Sequence, residues 1–186
     1  MIQNLSKILN ELNSNCKILV RPYPGSSYGN ILNGIIKQKN IIFDYNFNNK
    51  KILNLNDFEK NLEKKNLQIN SSILTISFGT TFSFESAYLG VPSLFLGYSY
   101  FLPKKNSLYN FVNYSNNVDE YILLRKIAKK NYVYNHKNLK KIINYILLKK
   151  KKYNYYKKNS LNISNKVLNY EFQSINHFLK NEKNIN

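Results

Sequence analysis

Apolar positions along the chain change period several times, and each change predicts an element. Ile2, Leu5, Leu9 and Leu12 recur at helical spacing, so residues 2–13 read as an amphipathic helix. Lys17-Ile18-Leu19-Val20-Arg21 follows as a short apolar strand, closed by the turn-forming run Pro22-Tyr23-Pro24-Gly25-Ser26-Ser27. Residues 40–44 predict a second strand. Asp57 is placed to cap a helix reaching about Asn66, with Phe58 and Leu62 turned inward. Residues 73–78 form a third strand whose apolar run fits burial on both faces. Residues 81–89 then read as a helix. It is ended by Gly90, which tolerates a left-handed cap, and by Pro92. Residues 93–96 make a fourth strand, ended by Gly97.

Strand and helix thus alternate between residues 16 and 97, which predicts an α/β domain with one Rossmann-like parallel sheet followed by C-terminal helices. From Tyr98 to Asp119 the chain is aromatic and polar without a clear period. Residues 121–130 and 139–148 return to helical patterning, the second with a stripe of Leu139, Ile142, Ile143, Ile146 and Leu147. Residues 149–158 are a basic run broken by Tyr and Asn, and Ile163, Val167, Leu168, Phe172, Ile175 and Leu179 suggest a last helix. The pattern divides the chain into a Rossmann-like domain over 1–148 and a basic segment with a helix over 149–186. No internal repeat is visible.

Composition narrows the function classes. Of the 186 residues, 43% are hydrophobic, with eleven Phe and sixteen Tyr, enough for a packed core. Cys16 stands alone, which excludes an internal disulfide and a thiolate metal cluster; it leads into a strand and reads as a core residue. The apolar runs are strand-sized, far short of the roughly 20 residues of a membrane span, and the N-terminus has no signal-peptide pattern. A cytoplasmic protein is expected. The net charge of +18 has two explanations. Lys, Asn, Ile, Tyr and Phe share A/T-rich codons, so composition bias alone produces many solvated lysines. Physically, the same charge attracts anionic membranes, nucleic acids and nucleotide phosphates. A peripheral, salt-sensitive contact of the helices at 121–158 with the inner membrane face is the expectation drawn from it.

Two units carry chemistry. In the first, a strand delivers the chain through Ser77 and Phe78 to Gly79, Thr80 and Thr81, and a helix starts at once. The opening turn of a helix has free N–H groups and a partial positive charge, so it attracts phosphate. Gly79 leaves room for close approach, and Thr80 and Thr81 add hydroxyl donors. Glu85 lies four residues after Thr81 on the same helix face, where a carboxylate can accept from ribose hydroxyls. The plain alternative is a strand–helix turn with threonine caps. In the second unit, Arg21, Tyr23, Ser26 and Ser27 follow a strand at its carboxyl end, the side where ligands bind in open α/β sheets. Arg21 offers a fork of donors for phosphate. The plain alternative there is a strand-ending turn with a surface arginine.

Together these residues resemble a family. A strand ending in Arg-Pro-Tyr-Pro (Arg21 to Pro24), then Ser77 to Thr81, then Glu85-Ser86-Ala87-Tyr88-Leu89-Gly90-Val91-Pro92 looks like the C-terminal, donor-binding domain of GT-B-type glycosyltransferases, with bacterial surface-polysaccharide transferases the nearest flavour. The resemblance covers about residues 16–97. It implies a nucleotide sugar as substrate, with its phosphates at Gly79, Thr80 and Thr81 and its ribose at Glu85, and it implies no further cofactor. It also implies that the chain starts just before the C-terminal half, so that an acceptor-binding partner or half comes from elsewhere. Many relatives carry His at the place of Tyr23, which donates a hydrogen bond but does not titrate near neutrality. No catalytic base is assigned.

No Asp-x-Asp pair supports a metal-dependent transferase, and no metal site is expected. His136 and His177 have no partner at ligand spacing and read as surface or helix residues. Asp44 ends a strand and reads as a turn cap. Phosphate-binding Gly-x-Gly-x-x-Gly and Walker loops and the Gly-x-Ser-x-Gly elbow do not occur. Two other functions stay open: a nucleotide-sugar epimerase-like domain, and a non-catalytic basic module. The latter would use Tyr153, Tyr155 and Tyr156 among the lysines of 149–158 to bind nucleic acid, the weaker case, or an anionic membrane. A decayed, inactive gene product is a third reading.

Overall fold

The computed structural model describes residues 2–21, 39–44, 55–78, 81–97 and 119–182, with the side chains at 55–58, 81, 119–121, 123 and 168–182 left out. The chain packs as two units, Met1–Asn66 and Leu67–Asn186.

The first unit holds α1 (Ile2–Glu11), β1 (Ile18–Val20), β2 (Ile41–Phe43) and most of α2 (Leu55–Asn70). Leu5, Ile8 and Leu9 form the buried stripe of α1, as their spacing requires. Asn13 ends this helix in the left-handed region, at φ 49°. The Ser14 N–H then reaches back to the Leu9 carbonyl at 3.0 Å and the Asn13 N–H to that of Asn10 at 3.0 Å, the paired bonds of a Schellman cap. β1 and β2 pair in parallel, Ile18 opposite Ile41 and Val20 opposite Phe43. Helix α2 begins at Leu55, so Asp57 lies within its first turn rather than capping it, and Leu62, expected inside, is exposed.

The second unit holds β3 (Thr75–Ser77), α3 (Thr81–Tyr88), β4 (Ser93–Leu96), α4 (Asp119–Ile127), β5 (Tyr132–Val133), α5 (His136–Leu148) and α6 (Lys150–Glu182). Its sheet is parallel throughout, in the order β3-β4-β5. All four residues of β4 are buried, because this strand is flanked on both edges. β3 lies at the edge of the order, so Ile73 is exposed and Ile76 is only half-buried. The expectation that residues 73–78 are buried on both faces fits β4 instead.

The mixed α/β class, the parallel pairing and the C-terminal helices agree with the sequence reading. One continuous sheet does not: among the described residues the ladders form two separate sheets, and the outer neighbour of β4 is β5, a two-residue strand too short to leave a periodic signal. The core of the second unit gathers Phe95, Leu124, Ala128, Tyr132 and Ile163, with Phe84 and Ile127 against it. Asn135 caps α5 through a 2.8 Å bond from the Asn138 N–H, and of the predicted stripe Leu139, Ile142, Ile143 and Ile146 are buried and Leu147 is half-buried. The basic run at 149–158 is helical from Lys150 onward and continuous with the last helix. Lys is a good helix former, and Tyr156, Ser160, Ile163 and Ser164 of α6 fall on one buried face, so packing decides the state.

Candidate functional site

The strand β3 ends at Ser77, and α3 opens four residues later at Thr81. The amino end of α3 therefore follows directly on the carboxyl end of a parallel strand, the arrangement that the sequence predicts. Gly79 and Thr80 lie outside the described residues, as does the side chain of Thr81. Glu85 sits one turn into α3 and is exposed, whereas Ser83, Ser86 and Ala87 are buried on the opposite side.

Small residues let α3 approach the sheet closely, and their hydroxyls fix it there. Thr75 Oγ1, Ser86 Oγ and Ser93 Oγ form a closed triangle, each pair 2.8 Å apart, tying α3 to β3 and β4 at once. Ser77 and Ser83 are also joined through their hydroxyls. Ser164 of α6 donates to the Phe84 carbonyl at 3.2 Å. At the far end Gly90 takes φ 80°, the Val91 N–H bonds the Ser86 carbonyl at 2.9 Å, and the Gly90 N–H bonds that of Ala87 at 3.1 Å. This is the left-handed cap expected at Gly90. α3 is thus clamped along its length, which holds the direction of its opening N–H groups. A pre-oriented helix start can receive an anion without reorganising.

A second polar node lies on the other side of β4. Asn131, fully buried, directs Nδ2 to the Ser93 carbonyl at 2.9 Å, to Ser160 Oγ at 2.8 Å and, at 3.3 Å, to the Tyr156 carbonyl. Ser160 Oγ accepts from the Ser93 N–H at 2.8 Å and donates to the Tyr156 carbonyl at 2.9 Å. Asn131 Oδ1 is buried and meets no protein donor. Sequence reasoning missed this network. Its signals were the serines at i, i+3 in α3 (Ser83, Ser86) and at i, i+4 in α6 (Ser160, Ser164), which place hydroxyls on a buried helix face.

In the first unit Arg21 follows β1 and is half-buried, while Tyr23, Ser26 and Ser27 lie outside the described residues. Arg21 and Glu85 belong to different units. Asp44, expected as a turn cap, is a buried carboxylate in an ion pair with Lys64, 2.5 Å away. Its N–H continues the β ladder to the Val20 carbonyl at 3.0 Å. His136 opens α5 half-buried, the side chain of His177 is outside the described residues, and Cys16 is a half-buried free thiol. Among the described residues no three His, Cys, Asp or Glu side chains group as a metal site, and no helix is long and apolar enough to cross a membrane.

Among the described residues Tyr156 has a displaced acidity, its pKa raised above the usual 10.0, first by burial and then by the neighbouring Tyr155 and Tyr145. It stays a neutral phenol through the physiological range. No family model, no curated protein and no solved structure matches the chain.

Proposed function

We propose that the chain is the donor-binding part of a glycosyltransferase of the GT-B type, metal-independent, which holds a nucleotide-activated sugar for transfer to a surface glycan or lipid-linked acceptor. The observation that carries this reading is the β3–α3–β4 unit. It sets the start of a clamped helix, reached through Gly79, at the carboxyl end of a parallel strand, with Glu85 exposed one turn further on. Diphosphate oxygens accept from the N–H groups of the first turn of α3 and from the hydroxyls of Thr80 and Thr81, and Glu85 accepts from the ribose. In the other unit Arg21, with Tyr23, Ser26 and Ser27, offers phosphate donors of its own after β1. The acceptor and the catalytic base come from a further domain or partner chain.

Ser86 and Ala87 are fully buried while the neighbouring Glu85 is exposed. The buried hydroxyls hold the helix to the sheet, and the carboxylate lies on its exposed side.

Calorimetry against nucleoside diphosphates and nucleotide sugars, without divalent metal, tests the proposal. Binding of a modest strength is expected. Gly79→Val abolishes it in a folded protein, Thr81→Val weakens it by roughly 1 kcal/mol, and Arg21→Ala by about 1.5–3 kcal/mol. Glu85→Gln weakens ribonucleotides and leaves inorganic diphosphate unchanged. A folded wild-type chain that binds no nucleotide, or binding lost equally in all four variants with added salt, sinks the proposal.

A further inference from the structure

Charge is not spread evenly along this chain. The fifty residues from Tyr121 to Tyr170 carry fourteen of the 28 Lys and Arg and none of the ten Asp and Glu. Codon bias accounts for abundant lysine but not for this segregation. The second unit concentrates the excess further at the junction of α5 and α6. There the ammonium groups of Lys141, Lys149 and Lys152 lie 5.7, 5.5 and 5.8 Å from the centre of the Tyr145 ring. Lys152 is shared with Tyr155, at 5.7 Å, and Lys130 reaches the same ring at 5.5 Å. The rings hold four exposed lysines in one patch, against the repulsion that would spread them. Leu148, the last residue of α5, projects from the same junction with 66% of its surface exposed, directly before Lys149, Lys150, Lys151 and Lys152.

We propose that this lysine–tyrosine corner, tipped by Leu148, docks the protein on a bilayer bearing anionic phospholipid. A dense positive patch meets the negative surface potential of such a leaflet, and each lysine brought close adds to the attraction. The exposed leucine among lysines suits an interface in which the chain tip enters the headgroup boundary while the ammonium groups stay with the phosphates. Single-stranded nucleic acid fits less well. It binds by stacking bases on open aromatic faces, whereas Tyr145 and Tyr155 are already attended by lysines, and the segment has one arginine, Arg125. The docking surface is separate from the residues of the proposed nucleotide site and stands or falls without it.

Vesicle co-sedimentation of the full chain tests the proposal, with phosphatidylcholine vesicles against vesicles containing about one third phosphatidylglycerol. Binding to the acidic vesicles that fades with salt is expected, with little on neutral ones. K149Q/K152Q lowers the partition coefficient about 25-fold, near fivefold for each lysine. Leu148→Ser lowers it severalfold without changing the salt slope. K7Q/K60Q removes the same charge from exposed positions of the first unit and changes binding less than twofold. Far-ultraviolet circular dichroism checks that each variant is folded. Equal loss in K7Q/K60Q shows a net-charge effect and overturns the proposal, as does an inert Leu148→Ser. Tighter binding of a single-stranded oligonucleotide at the same salt, cut by K149Q/K152Q and not by Leu148→Ser, replaces the bilayer with nucleic acid.

Discussion

Substituting Asn131 by Ala removes the amide that joins β4 to α6. Its two protons serve the Ser93 carbonyl at 2.9 Å and Ser160 Oγ at 2.8 Å, with the Tyr156 carbonyl at 3.3 Å as a weaker third acceptor. Oδ1 has no protein donor, so nothing is lost on that side. Each buried bond contributes about 1 kcal/mol net, and taking the amide donor from the buried Ser93 carbonyl adds a desolvation cost, while Ser160 Oγ keeps the Ser93 N–H, so Asn131→Ala is expected to destabilise the second unit by about 2–4 kcal/mol. Ser160→Ala deletes the acceptor of the Ser93 N–H and of the same amide and costs about 1–3 kcal/mol. The Asn131–Ser160 bond is broken in both single variants, so the double variant falls short of their sum by about 1 kcal/mol or more. Urea unfolding gives the magnitudes, and hydrogen exchange at the β4 amides assigns them to the second unit, since a two-unit chain need not unfold in one step. A loss under about 0.5 kcal/mol in Asn131→Ala, or strict additivity in the double variant, would show that the network is incidental to the packing of α6.

Gly97→Ala sets a methyl group into Cε1 of Tyr132, a ring that is itself buried. The ring must move out of the Phe95–Leu124 core, so a drop of about 1–3 kcal/mol by thermal or urea unfolding is expected. For the Asp44–Lys64 pair the two halves are unequal, with side-chain exposures of 3% and 41%. Lys64→Met leaves a carboxylate in a dry place and is expected to cost about 1–2 kcal/mol after solvent screening, more than Asp44→Asn, whose ammonium partner turns to water; equal losses in urea would contradict this. Tyr156 has a folded pKa raised above its unfolded value near 10, so the folded state holds the phenolic proton more tightly. Its contribution is complete below pH 10 and is lost as pH rises through the folded pKa. Tyr156→Phe should therefore flatten the alkaline limb of the stability curve and leave its slope near pH 7 unchanged.

Local chemistry was legible along the chain. The stripe of Leu139, Ile142, Ile143 and Ile146 and the four short strands follow from side-chain period alone, and Gly90 marks a left-handed cap because glycine lacks the Cβ that resists it. The start of α3 just after Gly79 and Thr80 was readable for the same reason, since an apolar strand gives way to threonines and a helical pattern. Tertiary structure decided what period cannot encode. Periodicity does not say which strand neighbours which, so the two ladders and the β3-β4-β5 order seen among the described residues emerge only from pairing, and β5 has two residues and no pattern to read. Nor does a serine announce burial. Thr75, Ser86, Ser93 and Ser160 are polar in sequence and are buried in the fold because each finds a hydroxyl, carbonyl or amide partner on another element, a condition set by three-dimensional proximity. The same holds for Asp44, whose burial against Lys64 of α2 no local pattern announces. Period and caps are readable because they depend on neighbours within a few residues; partners seven to eighty residues away on other elements are supplied only by the packed chain.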